Sequence, residues 1–71
     1  MSLYQQNLRK EINSYDLELK QTKTRIQETE LELKNETNVF EKVRLMQRLR
    51  TLRTTIIILE INIKNALKQI H

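Results

Sequence analysis

The sequence predicts an all-α fold: an antiparallel two-helix hairpin, coiled-coil-like, that self-associates into a helical bundle. Three observations carry this. The 71 residues contain no glycine and no proline, which removes the usual materials of tight turns and strand bulges and leaves a chain rich in good helix formers. Two heptad seams run through it: Leu8, Ile12, Tyr15, Leu19, Ile26 and Leu33, then Leu45, Leu49, Leu52, Ile56, Leu59, Ile63, Ala66 and Ile70. Between them the phase shifts by two heptad positions, which a single inserted stutter or stammer does not produce.

Helix 1 is expected over about residues 3–34. Ser2, with Gln5 three residues on, makes a capping box at its start. Asp16 to Lys20 and Glu30 to Lys34 are i,i+4 pairs with the acid first, each adding tenths of a kcal/mol. The amino-terminal stretch has no apolar run of leader length and reaches Glu11 early, so secretion is not expected.

The turn is expected at residues 35–38. Asn35, Thr37 and Asn38 compete for backbone hydrogen bonds, and Asn38 followed by Glu41 is a second N-cap signal. Asn35-Glu36-Thr37 also matches a glycosylation acceptor, a tripeptide frequent by chance.

Helix 2 is expected over about 39–70, so that a single helical-hairpin domain covers 1–71. Two arms of about 32 residues, roughly 48 Å each, suit a hairpin. Facing layers in an antiparallel coil pair a with d, and one allowed register pairs Leu8 with Ile63, Ile12 with Leu59, Tyr15 with Ile56, Leu19 with Leu52, Thr22 with Leu49 and Ile26 with Leu45. Its midpoint falls in the expected turn. Two continuous helices paired head to tail would form the same layers. In this register Arg9 lies near Glu60 and Asp16 near Arg53, while Arg25 meets Arg48 and Glu32 meets Glu41.

Helix 2 carries more apolar side chains than one seam uses. Val39, Phe40, Val43, Met46, Ile57, Ile58, Ile61 and Leu67 remain, mainly on one further side, and a helix apolar on two sides is usually covered on two. The expected oligomer interface is therefore Val39, Val43, Met46, Ile57, Ile58, Ile61 and Leu67, giving a dimer or a higher form such as a four-helix bundle. Thr54 to Ile63 is also the most β-prone window, flanked by Arg53 and Lys64 as gatekeepers. Leu3, Leu17 and Leu31 form only a thin stripe on helix 1.

The chemistry of an enzyme is not evident. There is no cysteine, the one histidine is His71, and no Ser, His and Asp set, acid pair in an apolar setting or glycine-rich phosphate loop occurs. No cofactor or metal is expected. Glu28, Glu30 and Glu32 read as a solvated face rather than ligands, and no apolar run approaches the roughly 20 residues of a membrane span. A cytoplasmic protein away from the membrane is expected.

Charge is the remaining feature. Thirteen Lys and Arg stand against nine Asp and Glu, a net charge of +4, and from Lys42 to Arg53 there is no acid. The candidate partner or anion contacts are Arg25, Lys42, Arg44, Arg48, Arg50 and Arg53, because guanidinium groups grip carboxylate or phosphate in bidentate fashion. The expected function is a non-enzymatic oligomeric interaction, adaptor or regulatory protein that docks a partner protein. The alternatives are a nucleic-acid-binding bundle using the Lys42–Arg53 patch and an oligomer holding a small nucleotide or anion near Arg25, Arg48 or Tyr4.

Overall fold

The computed structural model describes residues 2–70. Two helices, α1 (Leu3–Asn35) and α2 (Val39–Lys68), pack along each other as a hairpin of 55 × 14 × 12 Å between Cα positions. Among the described residues there is no strand. His71, the chain's one histidine, lies outside them.

Capping fixes the helix ends. Ser2 is extended, and its hydroxyl oxygen accepts the Gln5 backbone N–H at 3.2 Å, satisfying one of the donors that the first turn leaves orphaned. No bond returns from the Gln5 amide to the Ser2 backbone among the described residues, so only half of the expected capping box forms. α2 ends at Lys68, two residues before the expected limit. There the Gln69 N–H reaches the Ala66 carbonyl at 3.1 Å and the Ile70 N–H reaches Leu67 at 3.2 Å, tightening the last turn to three-residue spacing.

The connection is made by side chains. Glu36 (φ −82°, ψ 133°) and Asn38 (φ −78°, ψ 124°) are both extended, and no described residue has a positive φ. The Glu36 carboxylate accepts the backbone N–H groups of Thr37 at 3.1 Å and Asn38 at 3.0 Å. The Asn38 side-chain oxygen then accepts those of Phe40 at 2.9 Å and Glu41 at 3.1 Å. Four donors at the bend thus find partners without a glycine.

The seam between the helices is narrow. Leu8, Leu45, Leu49, Leu59 and Ala66 are buried, Leu45 most deeply at 2% exposure, while Ile12, Tyr15, Leu19, Ile26, Leu52, Ile56 and Ile63 are half-buried along the same line. Thr22 and Thr29 are also buried. Their hydroxyls donate to the carbonyls of Glu18 at 2.8 Å and Arg25 at 2.7 Å, so each small side chain enters the seam with its polar atom satisfied.

The register differs from the expected one. Arg53 pairs with Glu30 at 3.3 Å, not with Asp16, which pairs instead with Lys20 one turn along α1 at 3.2 Å. Arg48 and Leu52 share a groove with Thr29, and Asn62 shares one with Tyr15. These neighbours set the layers one heptad further along: Leu19 across from Leu59, Thr22 from Ile56, Ile26 from Leu52, Thr29 from Leu49 and Leu33 from Leu45. The physical reason lies at the two ends. The expected register would place the Lys42 ammonium in the seam beneath Thr29, an expensive burial, and would carry Ile70 past the start of α1. In the observed register Lys42 is exposed and Ile70 is half-buried.

Candidate interaction surface

The hairpin has two unlike flanks. On one, the Tyr4 hydroxyl donates to the Gln69 side-chain oxygen and ties the open end together. The lining of this flank is polar and charged: Glu11, Asn62 and Asn65 near the termini, then Arg25, Glu28, Glu32 and Arg48 towards the turn. Arg25 and Arg48 line one groove in the shifted register as well, and two carboxylates, Glu28 and Glu32, line it with them. Like charge is offset there within the hairpin itself.

The opposite flank carries the Glu30–Arg53 pair and two open grooves. Towards the turn, Leu33 of α1 faces Val43, Met46, Arg50, Arg53 and Ile57 of α2. Towards the termini, Asp16 and Leu19 face Glu60, Ile63, Lys64 and Leu67. These grooves run into the outer side of α2, where steps of three and four residues place Val39, Val43, Met46, Ile57 and Ile61 in one line. All are exposed, as are Ile58 and Leu67, with Met46 at 58%. Phe40, at the head of α2, is 84% exposed. On α1 only Leu3, Tyr4, Leu17 and Leu31 are comparably bare.

The basic run does not form one face. At about 100° per residue, Lys42, Arg50 and Arg53 point to the outer and groove side of α2, whereas Arg44 and Arg48 point to the polar flank. Two of them are occupied. The Arg44 guanidinium grips Glu41 through Nε at 3.0 Å and Nη2 at 2.7 Å, and these bonds, then the nearby charges of Glu41, Glu32 and Glu36, raise its proton affinity above the ordinary arginine value. Arg53 is held by Glu30. Among the described residues, Lys42, Arg25, Arg48 and Arg50 form no ion pair.

Sequence reasoning missed the burial of Thr29, and the signal was present: Thr22 and Thr29 continue the d positions of Leu8 and Tyr15. It also missed the Glu30–Arg53 pair, whose members are 23 residues apart and meet only once the register is known. Among the described residues no group of three His, Cys, Asp or Glu side chains is arranged to hold a metal ion, and no helix is long and apolar enough to cross a membrane. The comparisons with known proteins find no matching family model, no similar curated protein and no similar solved structure.

Proposed function

We propose that the protein is a non-enzymatic helical interaction module that self-associates through the outer side of α2 and docks a partner protein in an adaptor or regulatory role. One observation carries the reading. The seam is filled without Val39, Val43, Met46, Ile57, Ile58, Ile61 and Leu67, and each of these is about half exposed or more. About half of each side chain is already covered, so covering the rest of five of them contributes roughly 4–8 kcal/mol, half of 1.5–3 kcal/mol each. That is comparable to a net folding stability of roughly 4–10 kcal/mol for a chain of this size.

The nucleic-acid reading draws less support. Its patch divides between two directions, and Arg44 and Arg53 already hold carboxylates, so Lys42 and Arg50, without an ion pair among the described residues, lie on one side and Arg48 on the other, not along one phosphate track. A nucleotide or anion held by Arg25 and Arg48 would sit beside Glu28 and Glu32, which repel it. A cytoplasmic location belongs to the same proposal.

The test is the solution mass by light scattering at tens of micromolar, for the native chain and for Met46→Asp with Ile57→Asp. The native chain is expected at a multiple of the monomer mass, and the double variant as a monomer of unchanged helix content. A native chain that is monomeric at these concentrations overturns the proposal. Salt-sensitive retention on DNA or RNA, lost in Arg50→Ala, would favour the nucleic-acid alternative.

A further inference from the structure

We infer that the partner of the α2 stripe is a second copy of this chain, packed antiparallel, α2 on α2, about a two-fold axis beside Arg50. This rests on the self-association proposed above and adds the direction and register of the pairing.

The stripe has the symmetry that such a pairing needs. Along the outer side of α2 it reads Val39, Val43, Met46, Arg50, Thr54, Ile57, Ile61. The steps are four, three, four, four, three and four residues, the same from either end. Any heptad seam has nearly symmetric spacing, so the weight falls on the chemistry: apolar arms, Val39 to Met46 and Ile57 to Ile61, flank a polar centre of Arg50 and Thr54. A two-fold axis at Arg50 sets Val39 against the partner's Ile61, Val43 against the partner's Ile57 and Met46 against the partner's Thr54. An isologous interface is self-complementary in this way. The seven residues span about 33 Å of helix.

Charge selects the direction. Beyond Ile61 the same side of α2 carries Lys64 and Lys68. In the antiparallel register these lie beyond the start of the partner's α2, at the end of the hairpin where the turn holds the partner's Glu36. A parallel pairing would stack Arg50, Lys64 and Lys68 each on its own copy and bring the two acidic turns together. Arg53, which would otherwise add to the central charge, is drawn off the stripe by Glu30 of its own hairpin. Arg50 alone remains on the axis, where the long stem lets the guanidinium turn outward to water.

The chain contains no cysteine, so single cysteines report the register directly. Arg50 is exposed in the hairpin, and Arg50→Cys is expected to close into a covalent dimer on mild oxidation. Val39→Cys and Ile61→Cys are each expected to stay uncrosslinked alone and to crosslink when mixed. Arg50→Leu removes the like-charge pair and is expected to tighten the dimer by roughly threefold or more. Efficient crosslinking of Val39→Cys or Ile61→Cys to itself overturns the inference, as does an Arg50→Cys chain that stays uncrosslinked while scattering shows a dimer. Those results leave the proposed self-association standing. A native chain that is monomeric under the crosslinking conditions removes both.

Discussion

Leu49 is the residue on which the seam can be tested most sharply. It is 5% exposed and faces Thr29, a small side chain, with the Leu33–Leu45 layer on one side and the Ile26–Leu52 layer on the other. Those layers hold the helices apart, so Leu49→Ala leaves a cavity that cannot close. Three buried carbons at about 0.8 kcal/mol each amount to about 2.4 kcal/mol of lost transfer energy, and the cavity brings the expected loss to roughly 2–5 kcal/mol. For a domain of this size that lowers the melting temperature by about 10–20 °C or more. Leu31→Ala makes the same chemical change at a side chain that is 60% exposed, with an expected cost within about 0.5 kcal/mol. Thermal melts by circular dichroism at one fixed protein concentration compare the two, the concentration being fixed because association itself shifts the midpoint. Equal losses from the two variants would refute the assigned seam.

Two further outcomes are expected. Asn38→Ala strips the partner from the Phe40 and Glu41 N–H groups and costs about 1 kcal/mol, whereas Asn38→Asp keeps the acceptor and most of the stability; urea melts of the two variants decide it. For the register, Thr29→Cys with Leu49→Cys should form an intramolecular disulfide, while Thr22→Cys with Leu49→Cys, about 10 Å out of step, should not. Closure of the second pair and not the first, read from gel mobility with and without reductant, would restore the expected layers.

The two-helix architecture was legible because its signals are local. Ser2 and Asn38 announce helix starts through their own side chains, and the phase change marks the break without reference to anything distant. Register was not legible, because heptads repeat and allowed midpoints recur along the chain. Choosing between them required weighing Lys42 and Ile70 at the ends rather than the leucines in the middle. Burial of Thr29 was obscured for a related reason: threonine looks polar in a hydropathy pattern, and only the bond to its own helix makes it acceptable in a seam. The outer stripe of α2 was legible as an apolar surplus. The engagement of Arg53 was not, since Glu30 finds it only across the folded hairpin.

The bend between α1 and α2 has a mechanical implication. At Glu36 and Asn38 the φ angles are close to those of a helix, and only ψ departs, at 133° and 124°. No glycine pins the bend in a left-handed conformation, and no proline forbids straightening it. Rotation about ψ at these two joints moves the bend towards helix and opens the molecule like a carpenter's rule. What keeps it shut is therefore the zipped interior and two carboxyl or amide clasps, each removable by one substitution.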